Sequence, residues 1–326
     1  HAIRLLQRAF RSGAERGFEN TLAWVPEMMA PLCALALEHR IEVDYVRHLI
    51  RARGLGSPDP TWENWPWPVK IHALGRFAVS VDEKPIIFRG RPQHRTLELL
   101  KAIVAFGADS VSVAQVTNAL WPDSEGDAAH RAFAVALHRL RKLLGDERAI
   151  RLSDGVLSID RSICWIDVLA LDERMVAIEN MGQRDMPEQA VRLLFDLYRG
   201  HLLGDDEETQ WVRPHRERFR IRFMRAASKL AGQFESSGSW LEAIEVYQRV
   251  IELDPLAEDG YRRLMTALQH QGRTAEAMDV FRRCRDMLSI ILGIAPSPET
   301  QGIFGAVQDA AASAQAAAPK RHLRNA

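Results

Sequence analysis

The chain has 326 residues, enough for two or three domains, and its 47% hydrophobic and 26% charged residues are those of an ordinary globular protein. Its 43 Lys and Arg balance 43 Asp and Glu, which excludes overall basicity as a reason to bind nucleic acid, so any such site must be a local patch. Three widely separated cysteines, Cys33, Cys164 and Cys284, exclude a disulfide framework and fit a reducing cytoplasm, where we expect the protein to reside.

No apolar run approaches the ~18 residues of a membrane span, and no signal-peptide pattern opens the chain, so no membrane partner is expected. The chain begins with His1 rather than Met. We therefore expect a preceding part that carries sensing or catalysis.

Residues 1–53 read as helices, with Leu32, Leu35 and Ala36 along one and Ile41, Val43, Tyr45, Val46, Leu49 and Ile50 along the next. We expect them to be the end of an upstream helical repeat domain. Residues 54–68, GLGSPDPTWENWPWP, form a Pro- and Trp-rich linker. Pro58, Pro60, Pro66 and Pro68 forbid continued helix. Trp62, Trp65 and Trp67 are expected to pin the linker down, in preference to forming a sugar platform.

From Val69 the pattern changes to strands. Val79 and Val81 alternate with Ser80, and Asp82-Glu83-Lys84 forms a turn. A helix is expected over 95–106, stopped by Gly107. A second runs from about Ser112, its N-cap, to Leu120, with Trp121-Pro122 ending it. A third covers 127–144 and stops at Gly145. Asp154-Gly155 between alternating strands predicts a hairpin within 149–167. Strands, three helices and a hairpin are the order of a winged helix.

On a helical wheel of 127–144, Phe133, Leu137, Leu140 and Leu144 share a narrow stripe that must face a core. Arg131, Ala134, Val135, His138 and Lys142 fall on the other side, with Arg139 and Arg141 at its edges. From Arg131 to Lys142 the helix rises about 16 Å, several base pairs of groove. Arg131 suits two parallel hydrogen bonds to guanine, and Ala134 and Val135 suit thymine methyls. Residues 128–151 carry six Lys and Arg against two Asp and Glu, a net +4, while 69–167 carry 14 against 12. The charge is concentrated on the third helix and the start of the hairpin. Arg95, Arg151 and Arg161 are expected phosphate-backbone contacts.

Residues 169–307 read as helical throughout. Leu230, Phe234, Gly238, Trp240, Ala243, Tyr247 and Pro255 have tetratricopeptide spacing. Leu264, Leu268, Gly272, Thr274, Ala277 and Phe281 repeat it 34 residues later. The helix from Pro187 to Tyr198 is a degenerate member. The acidic run Asp205 to Glu208 suits a helix N-terminus. Arg213, Arg216, Arg218, Arg220, Arg222 and Arg225 read as a solvated helix face. Residues 308–326 are expected to be a disordered tail.

The stretches VKIHALGRFAVSVDEKPI, RTLELLKAIVAFG, VSVAQVTNALWPD, HRLRKLLG and the Asp-Gly hairpin together resemble OmpR/PhoB-type winged helices. They are most similar to those of SARP-type bacterial transcriptional activators. In that family a bacterial transcriptional activator domain follows, and residues 168–307 resemble it. The resemblance implies a mainly α fold with small β, a winged helix-turn-helix over 69–167 followed by a TPR-like repeat domain. It implies that 127–144 is the recognition helix, that the hairpin is the wing, and that Trp121, Asp123, Ser124 and Glu125 touch RNA polymerase. The segment before Val69 resembles the end of a larger MalT-like regulator.

The expected function is sequence-specific transcriptional activation on double-stranded DNA, with RNA polymerase as partner and a homodimer on repeated sites. The alternative is a TPR-type protein–protein scaffold whose winged helix does not bind DNA. No enzyme activity and no cofactor are expected of this chain. Gly54-x-Gly56 lacks the rest of a dinucleotide fingerprint, and no GxxxxGK[ST], HExxH, zinc-spaced cysteine pair or nucleophile elbow occurs. His130 and His138 stand too far apart along a helix to share a metal.

Overall fold

The structure is a computed structural model that describes residues 1–20, 24–87, 91–124, 126–182, 187–204 and 210–317. It divides into two compact units, residues 1–174 with 197–219, and residues 175–196 with 220–326.

The first unit opens with α1 (Ala2–Arg16), α2 (Pro26–Glu38) and α3 (Val43–Ala52). Phe10, Cys33, Ala36, Val46, Leu49 and Ile50 form their buried centre. In the linker Trp65 and Trp67 are buried, and the Trp67 indole donates to the Trp62 carbonyl at 2.9 Å. The tryptophans therefore act as anchors, as their polar tip and apolar body favour. Strands β1 (Val69–His72), β2 (Ala78–Val81) and β3 (Lys84–Pro85) follow. Val81 pairs directly with Lys84, so only Asp82 and Glu83 turn the chain, both at positive φ (47° and 65°). That is the mirror-image turn that matches strand twist.

Helix α4 spans Arg91–Ala105 and starts four residues before the expected Arg95. Pro92 is compatible with that extra turn because a first-turn proline forfeits no helical hydrogen bond. Then come β4 (Val111–Ser112), α5 (Val113–Leu120) and α6 (Gly126–Leu144). Ser112 occupies the N-cap position of α5 without a side-chain cap bond. A 3-10 turn over Glu147–Ala149 leads into β5 (Ile150–Ser153) and β6 (Val156–Ile159), closed by Asp154 and Gly155 at φ 51° and 75°. The hairpin is shorter than the expected 149–167. The next strand, β7 (Cys164–Ile166), leaves it and pairs in parallel with β1. The two sheets have orders β3-β2-β1-β7 and β4-β6-β5.

Helix α7 (Asp167–Glu179) begins on a buried carboxylate. Asp167 accepts from the backbone N–H groups of Ala73, Leu74 and Val168 at 2.7–2.9 Å. The chain returns to this place later. Leu202 bridges Leu74, the Leu203 N–H donates to the Ala73 carbonyl at 2.7 Å, and Arg216 donates to the Leu202 and Leu203 carbonyls. Residues 198–204 are thus not helical, against the sequence expectation. The cause is local. A side chain on Gly75 (φ 84°) would meet the Arg199 carbonyl at 3.0 Å, so glycine is needed where the two backbones touch. Arg216 is held here rather than solvated. The acidic run Asp205 to Glu208 lies outside the described residues.

The second unit holds α8 (Pro187–Leu197), most of α9 (Arg213–Ser236), α10 (Trp240–Leu253), α11 (Glu258–His270), α12 (Thr274–Leu292) and α13 (Pro298–Ala317). The two repeats are the pairs α9–α10 and α11–α12. Gly238 and Gly272 end their first helices at φ 76° and 70°. Leu230, Phe234, Ala243, Tyr247, Leu264, Leu268 and Ala277 are all buried. Trp240 stacks flat on His270 at 4.1 Å and Phe281 on Phe304 at 3.8 Å. Arg220 pairs with buried Asp254, so it too departs from the expected solvated face. The expected disordered tail begins too early. Residues 308–317 continue α13, as an Ala- and Gln-rich sequence favours, and 318–326 lie outside the described residues.

Burial pushes the Asp167 carboxyl up to about 6, against the backbone N–H bonds and His72. Between the ordinary carboxylate value and about 6 the folded protein holds a proton that the unfolded chain has released. This group therefore makes stability fall as pH rises through that window. Asp167→Ala strands buried N–H donors and should cost about 1–3 kcal/mol. It should also remove this pH dependence. Urea unfolding across the window checks both; equal stability with an unchanged slope would contradict the role.

Candidate nucleic-acid interface

Helix α6 is held by one stripe. Ala129, Phe133, Ala136, Leu137, Leu140 and Leu144 are buried, in the pattern of an amphipathic helix over a core. Leu99, Leu100, Ile103 and Val104 of α4 and Val113, Val116 and Leu120 of α5 are buried with them. At roughly 1.5–3 kcal/mol for each large apolar side chain buried, this stripe outweighs any surface preference in deciding which way α6 faces. The opposite face is open. Arg131, Ala134, Val135, His138, Arg139 and Lys142 are exposed, Val135 to 50%. His130 is exposed on the same helix, one turn before Ala134. The wheel of 127–144 did not single it out, although its i, i+4 relation to Ala134 and i, i+8 relation to His138 were legible there.

The remaining arginines are engaged within the chain. Arg141 is half-buried and donates from Nε to the Ile150 carbonyl at 2.9 Å, fastening α6 to the first residue of the hairpin. Arg95 donates to the Leu120 carbonyl at 3.1 Å, at the open C-terminal end of α5. Arg151 pairs with Asp160 across the hairpin base, and Arg161 pairs with Glu173 of α7. Partial burial raises the Asp160 carboxyl, but its bonds from Ser162 and its pairing with Arg151 outweigh that and hold it below the usual carboxylate range. The Asp160-x-Ser162 spacing, typical of a carboxylate folding back on its own turn, was the available sequence signal for this clamp. The structure therefore brings six of the expected residues together on one open helix face. It gives Arg95, Arg141, Arg151 and Arg161 positioning partners inside the protein.

The hairpin itself is not basic at its tip. Ser153, Asp154 and Gly155 are exposed there, and Leu152 and Val156 are exposed to 41% and 38%. Before α6, Trp121 is half-buried and the chain turns through a Ser124 N–H to Trp121 carbonyl bond at 3.2 Å. Asp123 and Ser124 are exposed, and Glu125 lies outside the described residues. Among the described residues no cluster of three or more His, Cys, Asp or Glu could hold a metal ion, and no helix is long and apolar enough to cross a membrane.

Residues 166–308 match the bacterial transcriptional activator domain. The chain is 27% identical over 258 residues to the transcriptional regulator RedD of Streptomyces coelicolor, covering 76% of this chain and 72% of RedD. It is 28% identical over 250 residues to the regulatory protein AfsR of Streptomyces griseus, covering 72% of this chain but only 24% of AfsR. It is 24% identical over 230 residues to the transcriptional regulatory protein MoaR1 of Mycobacterium tuberculosis, covering 66% of this chain and 71% of MoaR1. Among solved structures, Mycobacterium tuberculosis EmbR in complex with a low-affinity phosphopeptide is similar in fold, with a TM-score of 0.55 and 22% identity over 75% of this chain and 66% of EmbR. The likeness to EmbR supports a winged helix followed by helical repeats. RedD and MoaR1 are thus named as transcriptional regulators and AfsR as a regulatory protein. With residues 166–308 matching the bacterial transcriptional activator domain and a winged helix before it, the chain is similar to the SARP-type bacterial transcriptional activators.

Proposed function

We propose that this activator binds double-stranded DNA in a sequence-specific manner, with α6 in the major groove and the hairpin 150–159 beside the backbone. The observation that carries this reading is the exposed face of α6. There Arg131, Arg139 and Lys142 supply charge, while Ala134 and Val135 are small enough to let the helix approach base edges. In a chain of zero net charge, the local +4 over 128–151 supplies the salt-dependent phosphate attraction. Arg141 and the Arg151–Asp160 pair set the angle between helix and hairpin. The exposed turn with Asp123 and Ser124 is the proposed contact for RNA polymerase. Two copies would occupy repeated sites, and the repeats of α9–α12 would mediate contact between proteins.

The scaffold reading, in which the winged helix has lost DNA affinity, draws support from the arginines engaged within the chain. Salt separates the two. Binding that is purely non-specific and vanishes with salt favours the scaffold; a sequence preference that survives moderate salt favours the activator.

Arg131→Ala should cost about 1–3 kcal/mol of specific binding and relax preference at one base pair. Lys142→Ala should weaken binding on all sequences alike and lower the salt slope by about 0.9. Fluorescence anisotropy on matched and single-mismatch duplexes checks both, and an Arg131 variant that loses equally on every sequence makes Arg131 a phosphate contact only.

Arg141→Met keeps the stem packing but removes the bond to the Ile150 carbonyl. Amide exchange over 150–159 should speed up by on the order of tenfold, equivalent to about 1.4 kcal/mol. Exchange in the repeats should stay unchanged. Unaltered hairpin exchange would show that Arg141 does not fasten it.

A further inference from the structure

Residues 54–68 join α3 to β1 without forming helix or strand, and so long an irregular stretch is held in place only by specific contacts. Its charged side chains, Asp59 and Glu63, make two of them. One Asp59 oxygen closes a local turn, accepting from the Thr61 N–H at 2.9 Å and the Thr61 hydroxyl at 2.6 Å. The other accepts from Arg174 of α7 at 2.6 Å. Glu63 accepts from Arg199 at 2.7 Å, and its second oxygen bonds His72 of β1 at 2.9 Å. Partial burial raises the Asp59 carboxyl, but the Thr61 bonds and Arg174 outweigh that and hold it below the usual carboxylate range. The His72 bond lowers the Glu63 carboxyl, and with the help of Arg199 it prevails over partial burial. Both groups are therefore ionised at neutral pH.

The places of the two arginines give these pairs their importance. The chain leaves the first unit after Arg174 and re-enters it at Leu197, shortly before Arg199. The strap thus holds both passages from within the first unit, while buried Trp65 and Trp67 anchor its own body. At its far end the Asp82 N–H donates to the Pro68 carbonyl at 2.8 Å. The next residue, Glu83, pairs with Arg47 at 3.1 Å and Arg51 at 3.9 Å, both on α3. A continuous path of contacts therefore runs from α3, through the β2–β3 turn and the strap, to α7 and the 198–204 return.

This path is ionic and incompletely satisfied. Among the described residues four buried side-chain polar atoms lack a hydrogen-bond partner. Arg47 Nε and Arg174 Nε lie on the path, and Trp165 Nε1 belongs to the ring that packs on His72 at 5.3 Å. Buried donors without acceptors oppose the closed arrangement, and part-exposed ion pairs hold it only weakly. A brace built for rigidity alone needs neither feature, and together they suit a contact that opens.

We propose that residues 54–68 are a releasable clamp, through which displacement of the N-terminal helices frees α7 and the 198–204 return. In the closed state Asp59 and Glu63 hold Arg174 and Arg199. In the open state these pairs part, Trp65 and Trp67 keep the strap on the sheet, and the two passages of the chain become mobile. The clamp is a regulatory device: it makes the start of the activator domain responsive to whatever acts on α1–α3.

Amide exchange of the full chain, read by mass spectrometry without DNA, tests the clamp independently of the reading of α6. With Asp59→Asn and Glu63→Gln together, the amides of α7 and of Leu203 and Gly204, bonded to the Ala73 and Gly75 carbonyls, should exchange at least about tenfold faster. Exchange in α6 and in α10–α12 should not change, which also reports that the variant is folded. Glu83→Gln, at the α3 end of the path, should speed exchange at the same amides. Added to the double variant it should contribute little more, because the clamp is already open. If the double variant does not fold, Glu63→Gln alone should speed Leu203 and Gly204 and leave α7 as it was. Unchanged exchange at α7 and at Leu203 and Gly204 in the folded double variant overturns the proposal. So does a Glu83→Gln variant whose effect stops at the β2–β3 turn, since α3 would then be unconnected to the clamp.

Discussion

One apolar stripe determines what this molecule can present to a partner. Phe133, Leu137, Leu140 and Leu144 must leave water, and they are buried with the apolar residues of α4 and α5. Once they are buried, the helix cannot rotate without exposing them, so Arg131, Ala134, Val135, His138, Arg139 and Lys142 are turned outward as a fixed set. Reading by a helix needs that rigidity, because side chains that select bases must be delivered at a set depth and angle. The Arg141 bond to Ile150 and the Asp160 clamp extend the same rigidity to the hairpin.

A second constraint holds the first unit together at a distance from that face. The Asp167 carboxylate gathers the backbone N–H groups at the end of β1 and at the start of α7, and residues 198–204 return to the same place through Gly75 and Gly200. The segment that begins the activator domain is thereby fastened to the winged-helix sheet by the Asp167 carboxylate and, around Gly75, by backbone bonds. Such bonds are insensitive to which side chains decorate the surface.

Much of this was legible in the sequence because it rests on local chemistry. The Asp154-Gly155 turn, the stripe on α6 and the 34-residue echo from Leu230 to Leu264 each follow from conformational preference or helical periodicity. What escaped the sequence depends on contacts between distant segments. Nothing in the residues around Gly200 says that Leu202 will pair with Leu74, because the partner lies more than a hundred residues away. The parallel return of Cys164–Ile166 to β1 is of the same kind, and the local pattern extended the hairpin too far. For the interface the helix face was readable. The commitments of Arg95, Arg141, Arg151 and Arg161 to partners inside the chain were not, since a wheel shows direction but not neighbours.

The most direct test is selection of bound sites by this chain from a random pool of duplex DNA. If α6 reads bases, a short motif should be enriched, and pairs of it should recur about one helical turn, roughly 10 base pairs, apart. A folded protein that enriches nothing, and whose binding is uniform across sequences and disappears with salt, would contradict the assignment of α6 as a reading helix.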